Sequence, residues 1–288
     1  MINRFRNSLV IAFAAIILIA GSSFAAEPFR ILISNDDGID SEGILALARA
    51  LEPIASITVS APQENFSGAG HSITTEGPIT VKEVKRDGKF FGYGVRATPA
   101  SCVKAALAQL MDKKPDLVVS GINDGGNLGR TIFVSGTFNA AQEGALQGIP
   151  AISFSLERSK SMDYSIAADF ARTLVESLMK QGFPQDVVLN VNVPGCKREE
   201  IKGVALTRLS TFTFRENWVR RKTPWGMTYF WQSVTKPVNV PAEGTDHRAI
   251  LDNYISISPV PIEFDQRNAI RELSKLNLSF DGKKMTQP

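Results

Sequence analysis

From residue 30 to residue 193, apolar runs of strand length alternate with segments of helical spacing, which predicts an α/β fold on a mostly parallel sheet. Ile31, Leu32 and Ile33 read as a fully buried central strand that stops on Asn35-Asp36-Asp37-Gly38. From Ser41, the spacing of Ile44, Leu45, Leu47, Ala48 and Leu51 predicts a helix that ends before Pro53. Ile54 to Ser60 predicts a second strand beside the first, closed by Ala61-Pro62. Ile79 to Val84 and Lys89 to Val95 flank Asp87-Gly88, a hairpin signal. Thr98-Pro99 suits an N-cap and first turn for a helix whose Val103, Ala106, Leu107 and Leu110 share a face. Leu117 to Ser120 is the next buried strand, running into a glycine-rich loop from Gly121 to Gly129. Ser135-Gly136-Thr137 then opens a helix through Ala140, Ala141, Ala145 and Leu146. A strand from Ala151 to Leu156, a helix from Tyr164 to Lys180 and a strand from Val187 to Val193 follow.

Beyond Val204 the alternation weakens. Residues 204–260 are expected to include a β-rich arm, because Thr207 to Ser233 carries Phe212, Phe214, Trp218, Trp225, Tyr229, Phe230 and Trp231 around a Pro224-Trp225-Gly226 turn. Two readings of the arm stand: an extended hairpin on a partner subunit, or an appendage folded on its own domain. Tyr254 to Ser258 predicts one more strand and Arg267 to Leu276 a last short helix.

The start of the chain changes the picture of where it works. Arg4 and Arg6 precede an apolar run from Leu9 to Ala20, and small Ser23 and Ala25 follow, so residues 1–25 read as a signal peptide. The run is short for a membrane span, so no stable membrane anchor is expected after leader removal, and export to a periplasm is. The remaining 26–288 are long enough for one large α/β domain. The leader holds two arginines and no acids, which leaves 30 Lys and Arg against 29 Asp and Glu, a net of +1. With no basic block interleaved with aromatics, a nucleic-acid surface is not expected. Cys102 and Cys196 lie far apart and form no metal or redox motif; Cys102, inside a helical pattern, reads as a buried thiol.

Three polar loops fall at predicted C-terminal strand ends: Asn35 to Gly38, Asn65 to Ser72, and Gly121 to Gly129 with Ser135-Gly136-Thr137. A parallel sheet gathers such loops on one edge. They offer carboxylate, hydroxyl and amide oxygens with little imidazole and no thiolate, which suits magnesium or manganese better than zinc. Glycine N–H groups and the helix start after Ser135-Gly136-Thr137 suit an anion such as phosphate. A cation with phosphate points to hydrolysis. The Gly121 to Gly129 loop lacks the P-loop lysine pattern and the dinucleotide spacing, and no serine sits in a Gly-x-Ser-x-Gly elbow. Asp36-Asp37 is not an Asp-x-Asp pair of the aspartyl-phosphate kind. His71 stands in a polar loop where it could donate to substrate; His247 has a weaker claim.

Ile31 to Gly38, Ala61-Pro62 with Asn65-Phe66-Ser67-Gly68, Val119 to Asn123 with Asn127-Leu128-Gly129, Ser135-Gly136-Thr137, Gly148 to Ser153 and Gly244-Thr245-Asp246 together resemble the SurE family of survival-protein nucleotidases. The resemblance runs in order over nearly the whole chain after the leader. It implies a Rossmann-like three-layer α/β/α fold with a C-terminal arm exchanged in a homodimer or homotetramer. It also implies a phosphomonoesterase, using one divalent metal ion per subunit, that cleaves nucleoside 5′-monophosphates, with 3′-monophosphates as a further substrate class. By position, Asp36, Asp37, Ser67 and Asn123 match the family's metal ligands, with Asp36, Asp37 and Asn123 also catalytic. Asn127, Ser135, Gly136 and Thr137 match its phosphate-side residues. Asp124 stands where the family usually has a small residue, and either adds negative charge near the phosphate or faces solvent. Two alternatives remain at this point: a broad acid phosphatase or exopolyphosphatase, and a periplasmic binder of phosphorylated ligands without turnover.

Overall fold

The structure is a computed structural model that describes residues 27–211, 215–235, 240–276, 279–280 and 283–284. The expected leader, and Phe212 and Phe214 of the arm, lie outside the described residues. The chain enters the sheet at β1 (Arg30–Ser34), crosses through α1 (Glu42–Leu51), and returns as β2 (Ser56–Pro62). A hairpin of β3 (Val81–Arg86) and β4 (Lys89–Val95) follows, turning through Asp87 and Gly88, both at positive φ. Next come α2 (Pro99–Ala105), continued by one wider π turn at Ala106–Leu110, and β5 (Leu117–Asp124). Then α3 (Gly136–Leu146), β6 (Ala151–Leu156), α4 (Tyr164–Gln181) and β7 (Val187–Val193) complete the α/β run. The chain closes with β8 (Gly203–Leu206), β9 (Arg215–Lys222), β10 (Thr228–Thr235), α5 (Asp246–Leu251), β11 (Tyr254–Pro261), α6 (Arg267–Leu273) and a pair of two-residue strands at 279–280 and 283–284.

Nine strands form one sheet in the order β3-β4-β2-β1-β5-β6-β7-β11-β8. β4, β2, β1, β5, β6 and β7 run parallel, and β3 and β11 are antiparallel to their neighbours β4 and β7. The alternation of β1 sorts its side chains between two layers. Ile31 and Ile33 pack with Ile44, Leu47 and Leu51 of α1 and Ala167, Ala171 and Val175 of α4. Leu32 faces the other way, with Val103 of α2 and Phe138 and Ala141 of α3. Each of these β1 side chains is fully buried, worth about 1.5–3 kcal/mol apiece relative to exposure. The fold is therefore the expected three-layer α/β/α.

β1 lies between β2, which follows it, and β5, which is reached only after the chain has crossed back over the sheet. That change of direction opens a crevice at the C-terminal ends of β1 and β5, where ligands bind in sheets of this kind. One expectation is corrected here. β5 does not stop at Ser120 but continues through Gly121, Ile122, Asn123 and Asp124, with an irregular register to β6 between Ser120 and Asn123. Polar Asn123-Asp124 beside a glycine reads locally as a loop, yet both residues are held by β6, opposite Ser155 and Leu156.

β9 and β10 pair only with each other among the described strands, around the expected turn at Thr223 to Met227. Trp218, Phe230 and Trp231 are more than half exposed, so the hairpin does not bury its aromatics on its own sheet.

Candidate active site

The turn after β1 is built by Asn35. Its buried side chain accepts from the Gly38 N–H (3.2 Å) and donates from Nδ2 to the Gly38 carbonyl (2.9 Å) and the Ser41 hydroxyl (2.8 Å). Gly38, at φ +100°, completes a bend that a side chain would strain. In an extended strand two successive acids would face opposite sides of the sheet, and the bend removes that constraint.

Asp36 is buried, and the Thr137 hydroxyl donates to its Oδ1. Gly136 lies against it so closely that a Cβ there would stand 2.6 Å from the Asp36 Cβ. Burial pushes the Asp36 carboxyl above its ordinary range, against hydrogen bonds from Thr137 and the Gly136 backbone. Asp37 is half-buried and accepts from the Asp124 N–H (3.2 Å). Its carboxyl is raised to about 6, first by burial and then by the charges of Asp36 and Asp124, while Arg158 pulls it down. Arg158 also pairs with Asp124, Nε to Oδ1 at 3.1 Å, so Asp124 faces both the Asp37 side and a solvent-exposed cation.

Ser67 sits on an exposed Asx turn, its N–H donating to Asn65 Oδ1 (2.7 Å). The preceding Phe66 N–H donates to the Asp36 carbonyl (2.7 Å), which fastens this loop to the end of β1. Asn123, at the end of β5, gives its Nδ2 to the Gly125 carbonyl (2.7 Å), leaving Oδ1 as the group it can offer a cation.

On the phosphate side, Ser135 is the N-cap of α3, its Oγ accepting from the Phe138 N–H (3.0 Å), and Asn139 Nδ2 braces the same turn by donating to the Ser135 and Ile132 carbonyls. This places the backbone N–H groups and positive end of α3 beside Asp36. Asn127 is nearly buried and donates from Nδ2 to Ser155 Oγ (2.9 Å). Its backbone is held on both sides, the N–H by Asn192 Oδ1 (2.8 Å) and the carbonyl by Nδ2 of Asn190 (2.8 Å) and Asn192 (3.1 Å).

Three supports were not picked out from the sequence, Ser155, Asn190 and Asn192, and a fourth, Asp246, stood in the family resemblance without a role. The signal for the asparagines was present in Val187-Val188-Leu189-Asn190-Val191-Asn192-Val193, where amides occupy alternate positions of an otherwise apolar strand. Buried amides need partners, and here the partner is the Asn127 loop. Asp246 is fully buried and accepts from the N–H groups of Gly129 (2.6 Å), Ser210 (2.9 Å) and His247 (2.8 Å). Burial opposes its ionisation, but a hydrogen bond with the His247 side chain and these backbone bonds outweigh it and hold the carboxyl below its usual range. It anchors the start of a 3₁₀ turn at Gly129–Phe133 that leads into α3.

Neither histidine faces this crevice through the contacts the structure shows. His71 turns both ring nitrogens to α3, and His247 packs under Gly129. Cys102 is buried, and burial raises its thiol far above the usual range, as expected of an inert core cysteine. Cavities of about 240 Å³ and 310 Å³ border Thr207 and Arg248, and Phe170 and Lys202; neither touches Asp36, Asp37 or Asn123.

Among the described residues no three His, Cys, Asp or Glu side chains gather as a metal cluster. The crevice instead offers two carboxylates, an amide oxygen and the adjacent Ser67 hydroxyl, a donor set that fits a hard divalent cation. Two acids whose charged forms are both disfavoured by burial also fit a site that a cation completes.

The Survival protein SurE family model matches residues 31–216. The chain is 39% identical over 249 residues to the 5′-nucleotidase SurE of Chlorobium phaeobacteroides, covering 86% of this chain and 96% of that one. It is 40% identical over 249 residues to the 5′-nucleotidase SurE of Syntrophobacter fumaroxidans, covering 86% of this chain and all of that one. The crystal structure of the SurE protein from Aquifex aeolicus superimposes with a TM-score of 0.76 at 36% identity, over 85% of this chain and 98% of that one.

Proposed function

Because the chain belongs to the SurE survival-protein family, we propose that it is a divalent-metal-dependent phosphomonoesterase that releases phosphate from nucleoside 5′-monophosphates. The observation that carries this reading is the meeting of Asp36 with the start of α3, and of Asp37 with the end of β5, at the crevice between β1 and β5.

Asp36, Asp37, Ser67 and Asn123 would hold magnesium or manganese. Bound there, the cation supplies neutralisation of charge on phosphoryl oxygens and a more acidic water. The chain's own groups do the rest. Thr137 and Gly136 fix the Asp36 carboxylate, and the Asp124 N–H fixes that of Asp37. The α3 N-terminus, with the Ser135 turn and Asn127, receives the phosphoryl oxygens and orients the ester. Without a cation, the carboxylates of Asp36, Asp37 and Asp124 would repel a phosphate dianion, which argues against a binder that captures phosphorylated ligands unaided.

The leader-like run at Leu9 to Ala20 supports a periplasmic enzyme, and the exposed aromatics of the β9–β10 hairpin support a homodimer or homotetramer in which a second copy covers them. A panel of purified-enzyme assays tests the substrate class. Phosphate release from nucleoside 5′-monophosphates should exceed that from 3′-monophosphates, sugar phosphates and polyphosphate. Equal or faster turnover of polyphosphate or of a simple aryl phosphate would replace the nucleotidase reading with a broad phosphatase.

A further inference from the structure

The loop that carries Ser67 touches three separate parts of the site's frame. Phe66 donates to the Asp36 carbonyl (2.7 Å), Gly70 donates to the Val134 carbonyl (3.1 Å), and His71 reaches the middle of α3. The last contact is the unusual one. His71 Nε2 lies 2.9 Å from Glu143 Oε2 and Nδ1 lies 3.1 Å from Gln142 Oε1, so both ring nitrogens face side-chain oxygens. Glu143 is 4% exposed, on a helix that buries Phe138, Ala140, Ala141 and Ala145 beside it. A carboxylate buried this way needs paired donors. It has Lys104 Nζ from α2 (3.2 Å) and Gln147 Nε2 (3.0 Å) on Oε1, and His71 on Oε2.

We propose that His71 is a positioning residue, which clamps the Ser67 loop to α3 through Glu143 and Gln142 and thereby sets the metal side of the site against its phosphate side. This inference rests on the metal-dependent reading above. His71 does not touch the site; it acts through the loop four residues from Ser67 and through the helix whose first turn holds Asp36. A neutral imidazole has a single N–H and can serve only one of the two oxygens as they stand, whereas the imidazolium donates to both. The charged groups around the ring are Glu143 on α3, which favours the imidazolium, and Lys104 on α2, which opposes it. Its hydrogen bond to Glu143 raises the His71 pKa above the ordinary 6.5. A histidine with a raised folded pKa contributes its stabilisation fully below its unfolded pKa and loses it as pH climbs through the folded value.

The test uses His71→Gln, Glu143→Gln and the double variant, with two readouts. The first is hydrogen exchange at the Phe66 and Gly70 amides of the metal-free protein. The second is the manganese concentration that half-saturates phosphate release, measured between pH 6 and 9. Each single variant should speed exchange at both amides and raise the manganese requirement about tenfold, with kcat at saturating metal changed by less than about twofold. The double variant should be no worse than either single, because both break one clamp. The wild-type requirement should rise, relative to His71→Gln, as pH climbs above 6.5, and Glu143→Gln, like His71→Gln, should lose that rise. Unchanged exchange, an unchanged metal requirement, or additive effects in the double variant would overturn the proposal. If His71→Gln fails to fold, His71→Asn and Glu143→Gln decide by the same readouts. Absence of metal-dependent release in the wild type would overturn the functional reading alone, and exchange at Phe66 and Gly70 would still decide the clamp.

Discussion

The Thr137 hydroxyl donates to Asp36 Oδ1, and this bond ties the end of the central strand to the first turn of α3. The bond satisfies one oxygen of a buried carboxylate whose other oxygen lies against Gly136. Replacing Thr137 with Val keeps the shape and removes the donor. Phosphate release should fall about 10–100-fold, with an increased metal requirement, because in the proposed metal-dependent reading the acid that would hold the cation loses its support. Metal titrations of Thr137→Val against wild type check this.

Gly136 offers a steric counterpart. A Cβ at this position would sit 2.6 Å from the Asp36 Cβ, and neither the strand end nor the helix start can yield easily. Gly136→Ala should cost about 1–3 kcal/mol of stability by overpacking and reduce activity by at least about tenfold through displacement of Asp36. Urea unfolding and initial rates measure the two effects separately.

Much of the fold was legible because its signals are local. Apolar runs bounded by Gly, Pro or Asn gave the strands, Asp87-Gly88 gave the hairpin, and Ser135-Gly136-Thr137 gave the start of α3. The extension of β5 to Asp124 was not legible, since Asn123-Asp124 is polar and follows Gly121, and only pairing with β6 keeps it extended. The helix at Asp246–Leu251 is too short to show a period, and its reason to exist is tertiary: Asp246 receives three backbone N–H groups from distant and neighbouring residues. His71 was visible as a polar loop residue, but its partner Glu143 lies 72 positions away on a helix that reads as alanine-rich and apolar.

Asp246 therefore carries a prediction of its own. Asp246→Asn can no longer accept at both oxygens from Gly129, Ser210 and His247 N–H groups, and leaves at least one buried donor unpaired. A loss of about 1–3 kcal/mol is expected, with weakened activity because the Gly129–Phe133 turn leads directly into α3. Thermal melts and turnover at saturating substrate check it.

Asp37 gives a pH prediction for the metal-free protein. Its carboxyl is raised to about 6 by burial and by the charges of Asp36 and Asp124. A folded pKa above the ordinary 3.8 means that the folded state holds a proton the unfolded state has already released. Stability of the metal-free protein should therefore decline as pH rises from about 4 to about 6, and Asp37→Asn should flatten that decline. Manganese should restore stability above pH 6, where the ionised acid is offered to the cation. Unfolding curves with and without metal across this range measure the effect.

The central claim is that the crevice between β1 and β5 hydrolyses nucleoside monophosphates with a cation held by Asp36 and Asp37. The most direct measurement is phosphate release from a nucleoside 5′-monophosphate by the metal-stripped enzyme, by the same enzyme restored with manganese or magnesium, and by Asp36→Ala under both conditions. Activity that is absent after stripping, returns with the cation and is lost in a folded Asp36→Ala variant is the predicted result. Undiminished release by the stripped enzyme, or by Asp36→Ala, would contradict it.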